Sequence, residues 1–309
     1  MGTFIHKGRS IYFREYGRGE PLLLIHGLGS SGADWGLQLP VLEKRFHVIV
    51  PDLPGSGRSQ PPREQYSIAG FASALWALLD QLKLDRVNIV GFSMGGAVGF
   101  EMSLQRPDGV HRLGLINSLA TYRLDHWSKW LEARIPALLV PLIGMERMAR
   151  LAAGRLFPRP WQRPLREAAA AVISAVPATS YLGMGLALQQ WSAVDRLHRL
   201  KCKILLIAAE HDYTPLAEKR ALAARLRAPI IVVRGSRHAT PFDSVALTNA
   251  SLLALLTDRP LPPDEEHVCD TPAAVSVLAS LGAVYPYALS DSPSRGSPLS
   301  CGPRESPAS

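Results

Sequence analysis

The segment Gly91-Phe92-Ser93-Met94-Gly95 stands between an apolar run, Val87-Asn88-Ile89-Val90, and a stretch of helical composition, Ala97 to Gln105. A strand, a Gly-x-Ser-x-Gly turn and a helix in that order form the arrangement called a nucleophile elbow. The turn is so tight that the serine takes a strained backbone conformation, with its hydroxyl aimed into open space. Side chains at the two glycine positions would collide with the neighbouring strand and helix. The motif therefore constrains the fold and the chemistry together.

The rest of the chain reads as a frame for such a turn. Phe4-Ile5-His6 and Ile11-Tyr12-Phe13 flank Lys7-Gly8-Arg9 as an opening hairpin. Four short apolar runs follow: Pro21 to Ile25, Phe46 to Val50, Val87 to Val90 and Leu113 to Ile116. Continuous apolar runs of this length suit strands covered on both faces. Between the second and third, Phe71, Leu75, Leu78, Leu79 and Leu82 recur at helical spacing over Ile68 to Leu82. Strand and helix in alternation predict parallel strands with helices on both faces.

From 119 to about 200 strand-like runs vanish. Four helices are predicted there, Asp125 to Ala133, Met145 to Leu156, Pro164 to Val176 and Leu182 to Arg196, punctuated by prolines. The sheet resumes with Ile204 to Ala208 and Pro229 to Val233, separated by a helix over Leu216 to Leu226 and followed by one from Pro241 to Leu256. The organisation expected is a core of 1–118 and 200–257, a helical insertion at 119–199 and a tail from 258 to 309. Residues 290–309 hold seven Ser, four Pro and two Gly, which cannot bury a core and predict disorder. One weak helix is expected within 271–288.

A serine hydroxyl is a poor nucleophile at neutral pH. It needs a base within hydrogen-bond reach, and the base needs a carboxylate to hold its tautomer. Each should follow a strand, in the order Ser, Asp, His. Asp212 follows the run ending at Ala208, and His238 follows the run ending at Val233. Glu210 and Asp243 are local rivals for the acid, and Asn117, after the earlier strand, cannot act as a carboxylate.

Four segments are thus in order: His26-Gly27-Leu28-Gly29, Asp52-Leu53-Pro54-Gly55-Ser56-Gly57-Arg58-Ser59, Gly91 to Gly96, and the Asp212/His238 pair. On these the chain resembles α/β-hydrolase fold enzymes with a helical cap, over residues 4 to 256. Ser-Met-Gly-Gly and Leu-Pro-Gly-x-Gly-x-Ser are similar to motifs of small-molecule esterases and enol-lactone hydrolases. The resemblance implies an α/β-hydrolase fold: a mostly parallel eight-stranded sheet flanked by helices, with an inserted helical cap. It implies an oxyanion hole made by the backbone N–H groups of Leu28 and Met94, with His26 bracing that loop and Asp52 to Ser59 a structural support. Trp35 belongs either to the pocket wall or to the core. The residues Trp127, Trp130, Phe157, Trp161, Tyr181, Met184 and Trp191 either fill the cap or together enclose an apolar chamber over Ser93.

The implied activity is hydrolysis of a carboxylic ester, lactone or thioester of a small, largely apolar substrate through an acyl-enzyme, with no cofactor and no metal. The same three residues serve C–C bond hydrolases, lyases, perhydrolases and some small-molecule receptors. Three dispersed cysteines give neither metal-ligand spacing nor a disulfide framework. The net charge is +8 over 309 residues, and the segment Thr121 to Leu200 carries +6 of it, from eleven basic and five acidic residues. That excess reads as a solvated helical surface, or as steering of an anionic substrate or an acidic carrier protein. No basic stripe interleaved with stacking aromatics points to nucleic acid. Attachment to a membrane surface is a weaker alternative. The N-terminus lacks an apolar leader, so a cytoplasmic location is expected.

Overall fold

The computed structural model describes the backbone of residues 1–123 and 127–262, and the side chains of 1–123 and 139–262. The expected tail helix and disorder over 263–309, and the side chains of Trp127 and Trp130, lie outside the described residues. Strands β1 (Gly2–His6), β2 (Arg9–Tyr16) and β3 (Glu20–Ile25) lead to a short helix α1 (Leu39–Leu42) and β4 (Phe46–Pro51). Then come α2 (Ile68–Gln81), β5 (Val87–Phe92), α3 (Met94–Gln105) and β6 (Val110–Ile116). The helices α4 (Trp127–Leu156), α5 (Arg163–Ala175) and α6 (Ala178–Gln190) intervene before β7 (Lys203–Ala209). The chain continues with α7 (Leu216–Leu226), β8 (Ile230–Val233), α8 (Thr240–Asp243) and α9 (Val245–Leu256).

The eight strands form one sheet in the order β1-β2-β4-β3-β5-β6-β7-β8. β1 and β2 run antiparallel at one edge; from β4 onward every pairing is parallel. This is the mostly parallel eight-stranded sheet expected from the sequence. Successive residues of a strand face opposite ways, which divides the core in two. Leu23, Ile25, Ile89, Leu113 and Leu206 pack on α2 and α3, whereas Leu22, Leu24, Val48, Val90 and Ile207 pack with Leu252 and Leu255 of α9. Helices on both faces cover the apolar runs that the sequence displays.

The helical region differs in detail from its expectation. One helical run spans Trp127–Leu156 and breaks at Gly144, whose φ of 77° and ψ of 164° are non-helical. The helix expected to reach Arg196 stops at Gln190, and a 3-10 turn covers Val194–Arg199. Ser244, at φ −142° and ψ 60°, splits the last helix into α8 and α9. Among the described residues no single helix is long and apolar enough to cross a membrane.

Candidate active site

The carboxyl ends of the parallel strands hold Ser93, Asp212 and His238, as open α/β sheets place their ligand sites. Ser93 joins central β5 to α3 at φ 54° and ψ −118°, a backbone conformation that side chains other than glycine rarely adopt. The turn is clamped: Ser93 N–H donates to Ile116 O at 2.8 Å, and Gly96 N–H donates to Ser93 O at 2.9 Å. Strain of this kind costs about 1–3 kcal/mol and survives only where its surroundings over-determine it. The flanking glycines show how: a Cβ at Gly95 would lie 2.1 Å from Ile25 O, and one at Gly91 2.3 Å from Gly95 O.

His238 follows β8 and Asp212 follows β7. The structure brings both to Ser93. His238 Nε2 lies 2.8 Å from Ser93 Oγ, and His238 Nδ1 lies 2.5 Å from Asp212 Oδ1. Nδ1–H donates to the carboxylate, which leaves the Nε2 lone pair facing the serine hydroxyl. The ring is fixed on both sides: Tyr213 stacks on it at 4.5 Å between centroids, and Phe92 tilts against it at 5.1 Å. The Asp212 side chain is fully buried. It accepts Tyr213 N–H at 2.7 Å on Oδ1 and Thr214 Oγ1–H at 2.8 Å on Oδ2. Burial works against its ionisation, but His238 and Lys219 overcome that cost and hold the carboxyl well below the usual carboxylate range.

The rival acids have other work. Glu210 Oε2 accepts Gly235 N–H at 2.9 Å and so pins the loop that carries His238. Asp243 Oδ1 accepts Ser236 Oγ–H at 2.8 Å, on the same loop. Arg159, between α4 and α5, donates to Gly235 O at 3.1 Å from the other side.

The loop after β3 lies against the serine: a Cβ at Gly27 would stand 3.4 Å from Ser93 Cβ. His26 is buried and bonded at both nitrogens. Nδ1–H donates to Gly27 O at 2.8 Å, and Nε2 accepts Leu53 N–H at 3.0 Å. Burial lowers its pKa, so the ring is neutral and tied to the loop after β4. That loop supports the first one further. Asp52 accepts Gly32 N–H at 2.8 Å and Arg58 N–H at 2.9 Å, and Ser59 Oγ–H donates to Asp52 O at 2.6 Å. Below the loop, Asp34 is buried beside the Ser30 hydroxyl, and desolvation raises its pKa to about 7. Leu28 and Met94 carry the two amides expected to face an oxyanion. Met94 opens α3, where helical geometry supplies no acceptor for its N–H. Among the described residues no metal-ligand cluster of His, Cys, Asp or Glu is present.

Packing decides between pocket and core for two tryptophans. Trp35 is not a pocket wall: it is wholly buried in the core on the α9 side of the sheet, among Leu22, Leu24 and Leu42. Its ring fills the space under the 3-10 turn Gly32–Leu37, which carries it inward. Trp191 is also a core residue. Its Nε1–H donates to Glu101 Oε2 at 2.9 Å and its ring lies 6.4 Å from that of Phe100. Glu101, buried in α3, also takes a two-bonded ion pair from Arg196, at 3.1 and 2.8 Å. This buried carboxylate anchors the chain leaving α6 to the helix that follows Ser93. Trp161 is half-buried beneath Arg159, whose guanidinium stands 5.6 Å from its ring. Tyr181 of α6 and Ile173 of α5 both reach the loop after β3: a Cβ at Gly29 would lie 2.8 Å from the Tyr181 ring and 3.7 Å from Ile173 Cγ2. Tyr66 Oη–H donates to Ser180 Oγ at 2.8 Å and fixes α6 beside it.

A family model of the alpha/beta hydrolase fold matches residues 20–214, and the chain belongs to that family. A putative carbamate hydrolase of Pseudomonas syringae is 32% identical over 248 residues, which cover 77% of this chain and 94% of that one. An uncharacterized protein of Mycobacterium tuberculosis is 43% identical over 106 residues, and the match spans only 31% of its length. Among solved structures, a thermophilic esterase from Thermogutta terrifontis, bound to malate, superimposes with a TM-score of 0.74 at 26% identity, over 83% of this chain and 96% of that one.

Proposed function

We propose that the protein is a serine hydrolase that cleaves a carboxylic ester, lactone or thioester of a small, largely apolar substrate through an acyl-enzyme. The observation that carries this reading is the continuous hydrogen-bonded line Asp212–His238–Ser93, ending on a serine held in a strained turn. His238 takes the Ser93 proton on Nε2 as Oγ attacks the carbonyl carbon. Asp212 keeps Nδ1 protonated and stabilises the imidazolium. The N–H groups of Leu28 and Met94 bind the developing oxyanion, each contributing about 3 kcal/mol. His238 returns its proton to the leaving oxygen or sulfur, then activates water to release the acyl group. Residues 119–199 act as a cap: Tyr181 and Ser180 of α6 bring that segment against the oxyanion loop and Tyr66. No cofactor or metal takes part in this scheme, and its partner is a small molecule.

A carbamate is a second candidate substrate, supported by the putative carbamate hydrolase that matches most of this chain. It undergoes the same attack at a carbonyl carbon, so the two readings share one mechanism. Hydroxylamine trapping tests it. With p-nitrophenyl acetate as substrate, added hydroxylamine competes with water for the acyl-enzyme. Acetohydroxamate is expected above the level of a Ser93→Ala control. Ester turnover without enzyme-dependent hydroxamate would rule out the acyl-enzyme.

A further inference from the structure

Behind the Asp212–His238 pair lies a lysine with no part in the scheme above. Lys219, on α7, is 1% exposed, and its Nζ donates to Asp212 Oδ2, the oxygen facing away from His238. Nζ also donates to Asn117 Oδ1 at 3.2 Å. Asn117 is held at φ 48° at the end of β6. Its Nδ2 donates to His238 O at 2.8 Å and to Thr240 Oγ1 at 2.7 Å, while its Oδ1 also accepts Ala209 N–H at 2.7 Å. Lys219, Asn117, Asp212 and the His238 loop thus form a closed frame. A lysine is almost never buried unless paired, because taking its charge out of water is costly. Here burial lowers its pKa and the Asp212 carboxylate opposes that shift. A shape-filling role alone would be met by methionine at far less desolvation cost.

We infer, on the reading of Ser93, Asp212 and His238 given above, that Lys219 is a positioning residue of the relay. Its ammonium fixes the Asp212 carboxylate and offsets part of that charge, which weakens the pull of the carboxylate on a proton at His238 relative to a chain without Lys219. The argument is electrostatic. An imidazolium at His238 gains from Asp212, and a positive charge on the far side of that carboxylate reduces the gain. The other groups facing His238 leave this balance to Lys219. Tyr213, Tyr122 and Tyr181 are neutral phenols whose pKa values burial raises. Arg155 stands 5.8 Å from the Tyr213 ring, and Arg155 and Arg237 are exposed, where water and salt screen them. Ser93, Phe92 and Asn117 carry no charge. On α7 itself, Arg220 is exposed and Glu218 half-buried.

The test is the pH dependence of kcat/KM for p-nitrophenyl acetate, whose acidic limb reports the free-enzyme base. Lys219→Met removes the charge and the hydrogen bonds; Lys219→Gln keeps a donor without charge; Lys219→Arg keeps the charge. In the Met and Gln variants the acidic limb should move up by about one pH unit, the size of shift that one charge within a few ångströms produces. The Arg variant should keep the wild-type limb if folded. A folded Met or Gln variant with an unmoved limb overturns the inference. Failure of both neutral variants to fold, judged by thermal melting, also counts against it, because Lys219 would then be a structural residue. A Ser93→Ala control separates the two readings. Turnover persisting in that control rejects the proposed function itself; an inactive control with an unmoved Lys219→Gln limb rejects only the role of Lys219.

Discussion

Ser93→Ala lowers kcat for p-nitrophenyl acetate by about 10⁴-fold or more while leaving KM near its wild-type value. The size follows from the unit character of the relay. Without a nucleophile, His238 has nothing to deprotonate, and what remains is binding and polarisation of the carbonyl by Leu28 and Met94. Those alone leave about 10³–10⁴-fold acceleration over water. The fold should survive, because alanine meets the same φ of 54° as serine and the clamps on this turn are backbone bonds to Ile116 and Gly96. Steady-state kinetics beside a thermal melt check both halves. A loss of less than tenfold in a folded variant would mean that Ser93 is not the nucleophile.

Gly95→Ala should be the most damaging single methyl group that can be added near the site. Its Cβ would sit 2.1 Å from Ile25 O and 2.7 Å from His26 O, both backbone atoms of β3 and the oxyanion loop. Neither can swing aside as a side chain could, so α3 must move away from β3. Overpacking of this kind costs about 3 kcal/mol or more. For a domain of this size that is a melting temperature lower by about 6–12 °C. Activity should fall further than stability alone explains, because Ile25 O and His26 O open the loop that leads to Leu28. Gly154→Ala is the control: nothing lies within 4 Å of a Cβ there, within α4. Replacing a helical glycine by alanine gains about 0.5–1 kcal/mol. Equal melting temperatures for Gly95→Ala and the wild type would refute the packing argument.

These two predictions draw on the parts of the molecule that are legible in the sequence. The elbow shows itself because strand, turn and helix are contiguous, and its steric demand falls on two named glycines. Asp212 and His238 are found because each follows a recognisable apolar strand, and topology rather than sequence proximity brings them to Ser93. Local pattern misleads where long-range contacts decide. Lys219 sits in Glu218-Lys219-Arg220, which looks like a solvated helix face, and its partner Asn117 is 102 residues away. Glu101 is the single charged residue of a mostly apolar helix; that local conflict is the one signal that could have marked it. Its partners, Trp191 and Arg196, also explain why the helix predicted to reach Arg196 ends at Gln190: the chain must turn for both side chains to reach the carboxylate. The sequence leaves Trp35 open between wall and core because periodicity cannot say which way a 3-10 turn points its ring.

The most direct measurement is covalent labelling with a fluorophosphonate, followed by mass spectrometry of the modified peptide. The reagent mimics the tetrahedral adduct and reacts only with a serine that an adjacent base has activated. The account predicts one phosphonyl group per chain, on Ser93, lost in His238→Ala. A label on another residue, or none on the folded wild-type protein, would contradict it.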